Sequence, residues 1–196
     1  FSIIFILLLA SVSWAQEPIQ LARMNVAIAG AGGGAACTYP PRDSYSTGTA
    51  AWTYVGTYWS TSFTTGSGYA VAKIGVTIKQ TGTAPSRTIY AYIFADNAGE
   101  PAVGAPLATS TNSYASTAIG ANFSEVVFTF DAYTLANATK YHIAITGART
   151  DNSNCLNWQQ NEGVAGQGTY YSSNPATSWS SYDTSSQNWF TTYSCN

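Results

Sequence analysis

From Ala51 onward, apolar and polar residues alternate with a period of two, the signature of half-buried strands. In YAVAKIGVTIKQTG, Ile74, Val76 and Ile78 share one face, while Lys73, Thr77 and Lys79 share the other. The segment SRTIYAYIFADNAGEP sets Ile89, Ala91 and Ile93 against Tyr90, Tyr92 and Phe94. It ends in a turn built from Asp96, Asn97, Gly99 and Pro101, each suited to bending the chain. FSEVVFTFDAY groups Val126, Phe128 and Phe130, and KYHIAITGA groups Tyr141, Ile143 and Ile145. NCLNWQQN and QNWFTTYSC read as two further strands. No window carries the period of an amphipathic helix. Strands separated by Gly, Pro and Asn turns predict an all-β fold, an antiparallel β-sandwich of jelly-roll type over residues 51–196.

The region before it follows other rules. Residues 1–15, FSIIFILLLASVSWA, read as a secretory signal peptide truncated at its start, with small Ser13 and Ala15 before a cut at Gln16. The competing reading is a membrane anchor, which needs about 20 apolar residues. Residues 16–50 read as a Gly/Pro-containing tail or linker. Within it, NVAIAGAGGGAAC places Gly30-x-Gly32-x-x-Ala35 after a short apolar run, the opening of a dinucleotide fold. Such a site needs a helix N-terminus behind the glycines to hold the pyrophosphate. Pro40 and Pro41 stand where that helix would run, and Asp43 comes too early to serve the ribose. No cofactor is expected.

Composition agrees with a sheet protein outside the cell. Charged residues make up 8% of the 196, about a third of the ordinary share, and aromatics 14%. A net charge of -2 offers no footprint for nucleic acid or an anionic membrane. Three cysteines, Cys37, Cys155 and Cys195, fit export if two of them pair. Three pairings are open; position favours Cys155 with Cys195, since Cys37 lies in the Gly/Ala tail. Closing that loop would stabilise the fold by about 4 kcal/mol.

The segment from about Trp59 to Tyr193 carries SFTTGSGY before AVAKIGVTIKQTG, then YAYIFADNAGEP, VVFTFDAYTLANATKYHIAITG and TYYSSNPATSW. In these stretches, roughly two-thirds of the chain, it resembles bacterial secreted β-sandwich modules of the choice-of-anchor R type. The resemblance implies an extracellular module with a jelly-roll similar to carbohydrate-binding modules. Its motifs are strand-and-turn patterns, so it implies no catalytic residues.

Candidate chemistry is sparse. The single histidine, His142, falls on the polar register of its strand and reads as a surface residue. One histidine and unspaced cysteines make a zinc site improbable on composition. Asp96, Glu125, Asp131, Asp151 and Glu162 are scattered, so a glycoside hydrolase, which needs a facing acid pair, ranks last. Asp96 with Asn97 and Glu100, and Asp151 with Asn152 and Asn154, are weak candidates for structural calcium, although turn chemistry explains both clusters equally well. Asn122 and Asn137 open N-x-S/T acceptor patterns, which matter only in a eukaryotic source.

Aromatics are the more informative set. Sugar rings present C–H faces that stack on indole and phenol rings, while their hydroxyls bond to neighbouring amides and hydroxyls. Trp158, Trp179, Trp189, Tyr90, Tyr92 and Tyr171 are therefore the candidate ligand-binding residues. The bland alternative is that they fill the core or pack cross-strand neighbours. The expected role is a secreted, monomeric, non-catalytic module binding a glycan or surface polysaccharide. A structural or adhesive surface module binding protein is the alternative.

Overall fold

The computed structural model describes residues 37–46, 51–162 and 164–195, with only the backbone described for 51–54. The signal-peptide reading of 1–15 and the glycine cluster lie outside these residues. Among the described residues there is no α-helix, and no helix is long and apolar enough to cross a membrane.

In chain order the strands are β1 (Pro41–Tyr45), β2 (Ala51–Val55), β3 (Tyr58–Thr64), β4 (Tyr69–Thr81), β5 (Thr88–Ile89), β6 (Ala91–Asn97) and β7 (Glu100–Pro101). Then come β8 (Ala108–Thr109), β9 (Tyr114–Ala115), β10 (Ser124–Leu135), β11 (Lys140–Thr146) and β12 (Arg149–Asp151). The last are β13 (Asn154–Glu162), β14 (Thr169–Ser172), β15 (Ser180–Asp183), β16 (Ser186–Asn188) and β17 (Phe190–Ser194). One sheet runs β1-β17-β4-β13-β12, with β10 added to β4 and with β2 and β16 added to β13. The other runs β15-β14-β3-β11-β6-β7, with β8 added to β6. Every pairing is antiparallel, and the long strands β3, β4, β6, β10, β11, β13, β14 and β17 alternate between the two sheets.

The alternation read from the sequence is what packs the sheets together. Ile74, Val76, Ile78 and Phe128 from the first sheet meet Ala91, Ile93, Ile143 and Ile145 from the second, all fully buried, with Ile89 of the short β5–β9 pair buried among them. Phe63 and Phe190 join the layers, with ring centroids 5.2 Å apart. Burying each such side chain contributes about 1.5–3 kcal/mol, which explains why the period-two pattern specifies the register so firmly.

Two expectations are corrected. The disulfide joins Cys37 to Cys195, with Cα atoms 5.1 Å apart, and Cys155 is a free, buried thiol. The cause is β1, which pairs with β17 inside the stretch assigned to the tail. Pro41 lies opposite Tyr193, and Ser194 N–H donates to Pro40 O at 3.3 Å, so the antiparallel ends bring Cys37 to Cys195. Polar contacts hold this strand: Arg42 Nε donates to Ser194 Oγ at 2.7 Å, and Tyr69 Oη to Asp43 Oδ2 at 2.8 Å. The compact unit accordingly begins at Cys37, not at Ala51. Cys155 sits opposite Arg149 in β12 and Thr81 in β4, where burial pushes its thiol pKa up.

Candidate functional site

The second sheet has an outer face as well as an inner one, and its side chains follow from register. Ser60, Ala144 and Tyr92 lie level across β3, β11 and β6, and Ser62, His142 and Phe94 form the next row. Tyr170 joins from β14 opposite Ser60, and Tyr58 pairs with Thr146. All of these point away from the Ile93–Ile143 core, because successive side chains on a strand face opposite ways.

Part of that face is roofed. After β14 the chain folds back over it through residues 173–179. Ser172 Oγ donates to Ser178 O at 2.6 Å and accepts from Asn174 N–H at 2.9 Å, and Gly104 N–H donates to Pro175 O at 3.1 Å. The roof delivers Trp179 edge-on to Phe94, with centroids 5.4 Å apart at 75°. Phe94, Ala144, Tyr170 and Trp179 thus make a second buried apolar cluster. His142 lies within this layer and is fully buried, contrary to its expected surface position. Its Nε2 pairs with Asp96 Oδ1 at 2.8 Å, and its ring meets Tyr170 edge-on at 5.3 Å. Burial outweighs Asp96 and lowers the imidazole pKa to about 4.

Beyond the roof the face stays open. Tyr90, Tyr92 and Tyr58 form a chain of tilted rings, with centroids 6.5 Å and 5.9 Å apart. Tyr90 is 36% exposed; Tyr58 and Tyr92 are partly buried. Tyr92 Oη shares a hydrogen bond with Thr146 Oγ1 at 3.3 Å, and burial raises the phenol pKa. Two hollows flank Tyr58. One, of about 390 Å³, lies between Tyr58, Tyr92, Phe94, Pro106 and Pro175, with Asn174 at its wall. The other, of about 220 Å³, is lined by Tyr58, Trp59, Tyr171, Arg149 and the hydroxyl residues Thr57, Ser172, Ser173, Ser178 and Ser180. The loop from Ser172 to Ser180 contributes to both.

The start of β3 is held firmly at this point. Gly147 N–H donates to Thr57 O at 2.8 Å, and a Cβ on Gly147 would run into the carbonyl oxygens of Val55 and Gly56. Only glycine allows that approach, which fixes Tyr58 between the hollows. Trp59 is stacked by Tyr171 at 5.7 Å and 23° and met edge-on by Tyr182 at 5.0 Å.

The candidate aromatics therefore divide. Tyr90, Tyr92 and Tyr171 reach the surface, with Tyr171 45% exposed. Trp158 is wholly buried, and its indole N–H donates to Trp189 O at 2.8 Å. Trp179 is 8% exposed beneath its own loop, and Trp189 is partly buried. Among the tryptophans whose side chains are described, none offers an open ring face like that of Tyr90. Tyr58 and Trp59 were missing from the sequence reading. Their only signal was aromatic type in a strand or loop, which core residues share.

Two of the candidate acids, Asp96 and Asp151, are held by turns and neighbours. Asp96 accepts His142 Nε2 and Gly99 N–H, while Asn97 and Glu100 pair across the hairpin. Asp151 accepts Ser153 N–H and Asn154 Nδ2. Among the described residues no three of His, Cys, Asp and Glu gather where a metal ion could be held. Glu125 accepts from Tyr193 Oη at 2.8 Å on the first sheet. Asn122 and Asn137 are exposed. No protein-family model matches the chain, and no curated protein matches it.

Proposed function

We propose that the protein is a secreted, non-catalytic module that binds a glycan in the two hollows on either side of Tyr58, at the start of β3. The observation that carries this reading is Tyr58 standing between two hollows, each walled by aromatic rings and edged by amide or hydroxyl groups. Rings supply stacking surface for sugar C–H faces, and Asn174 and the serines supply directional partners for hydroxyls. A site spread over two hollows suits an oligosaccharide better than a single ring. The apolar stretch Phe1–Val12 and the Cys37–Cys195 bridge support export to an oxidising compartment. The resemblance to secreted sandwich modules points the same way.

The test is a glycan array probed with the purified protein, followed by titration of any hit against Tyr58→Ala and Tyr92→Ala. The reading expects binding that weakens at least about tenfold in each variant, as for removal of a central aromatic anchor. Silence across a broad array, or hits that ignore both substitutions, would sink it in favour of the structural or adhesive role.

A further inference from the structure

At the opposite end of β11 from Tyr58 lies another hollow, of about 320 Å³, between the β6–β7 turn, the start of β11 and the segment before β14. The length of β11 separates Lys140 from Thr146, the partner of Tyr58, so the two places lie about 20 Å apart. We propose that this hollow is a second binding site, separate from the glycan hollows, and that it takes a free α-amino acid, ammonium toward Glu100 and carboxylate toward Lys140.

The first observation is that opposite charges border the hollow without meeting. Glu100 and Lys140 both line it, and no ion pair joins them. Among the described residues the Glu100 carboxylate accepts no hydrogen bond either. Lys140 is kept from swinging across, because its Nζ donates to Gly166 O at 3.0 Å. Gly166 has a φ of 75°, a left-handed turn that glycine adopts without strain. The bond to a neutral carbonyl uses one of three ammonium donors and leaves the charge in place. A small molecule of reversed polarity, cation to Glu100 and anion to Lys140, satisfies both groups at once.

The second observation is a phenol held at the same place. Tyr170 borders the hollow and is only 5% exposed, and its hydroxyl makes no hydrogen bond among the described residues. Its ring is fixed edge-on to the buried His142. Its hydroxyl end lies over Gly168, where a Cβ would come within 2.6 Å of the oxygen. Burial, and after it the carboxylates of Glu100 and Asp96, raise the phenol pKa. At neutral pH the hydroxyl therefore keeps its proton and can both donate to a ligand carboxylate and accept from a ligand ammonium. The remaining wall is Ala98, Gln167, Ser181 and Thr184, which suits a small or polar side chain.

The test is calorimetric titration of the purified protein with each of the twenty common amino acids at low salt. At least one small or polar amino acid is expected to bind saturably. Its N-acetyl and carboxamide derivatives, each lacking one charge, should bind at least about tenfold more weakly. Glu100→Gln and Lys140→Gln should each impose a similar loss, with unchanged thermal melting showing that both variants fold. Tyr170→Phe, which removes only the oxygen, should weaken binding about fivefold to tenfold. Tyr58→Ala should leave it unchanged. No saturable binding by any of the twenty would overturn the proposal and leave the glycan reading standing. Binding that is indifferent to N-acetylation or to carboxamide formation would overturn it too, as would full-strength binding in all three variants of this hollow. Loss of amino-acid binding in Tyr58→Ala would place the ligand in the other hollows and equally overturn it.

Discussion

Phe94 and Tyr92 sit two residues apart on one strand, point the same way from one sheet, and have opposite fates. Phe94 is 1% exposed under Trp179, whereas Tyr92 and Tyr58 border open hollows and their neighbour Tyr90 is exposed. The strand made them equivalent; the returning loop after β14 separated them. A sheet face in this molecule becomes core or binding surface according to what a distant segment lays over it. The same loop that roofs Phe94 also walls both hollows, so stability of the covered half and shape of the open half are coupled.

That comparison can be broken in a graded way. The largest effect is expected outside it, as a reference. Reducing the Cys37–Cys195 bridge, or replacing both cysteines with serine, should lower stability by about 2–5 kcal/mol in denaturant titrations. It should leave the outer face of the second sheet unaltered, since the bridge ties β1 to β17 in the first. Trp179→Ala, which strips the roof from Phe94, is expected to cost about 3 kcal/mol, near the low end for a buried indole. The same variant should loosen glycan binding because the loop walls both hollows.

The buried imidazole gives a pH readout of the roofed half. The folded pKa of His142 is lowered to about 4 from an ordinary 6.5, so the unfolded chain takes up its proton first as pH falls. Stability attributable to this group is fully present above pH 6.5 and is lost progressively down to about pH 4, a change of about 3 kcal/mol. His142→Asn should flatten the stability profile across that window; an unchanged slope would mean the imidazole is solvated. The carboxylate and ammonium groups acting on it are Asp96 and Lys140, with the Tyr170 ring packed against it. The smallest effect belongs to the open half: Tyr90→Ala should shift stability by no more than about 0.5–1 kcal/mol.

Much of this fold was legible because its strands have two different faces. Ile74, Val76, Ile78, Val126, Phe128, Phe130, Tyr141, Ile143 and Ile145 pack as the alternation requires, the first three fully buried. The register of β6 was legible for the same reason. What periodicity could not carry was the second layer: nothing near Phe94 or His142 in sequence announces that residues 173–179 return to cover them. His142 alternates with Tyr141 and Ile143, so its polar register was correct and its burial was not. Strand β1 escaped because hydrogen bonds from Arg42 and Asp43, not an apolar stripe, dock it, and the disulfide partner was misread with it. The tryptophans were drawn toward the site by residue type alone. Trp158 shows the error, since a carbonyl inside the sandwich satisfies its N–H and lets the core take the whole ring.

The most direct measurement follows the aromatic resonances of isotope-labelled protein by NMR while an array-identified glycan is titrated in. The account predicts shifts at Tyr58, Tyr92 and Tyr171, with Tyr170 and Trp158 unmoved. Saturable shifts confined to other aromatics, or none at a glycan concentration that saturates binding, would contradict the assignment of the site to the hollows beside Tyr58.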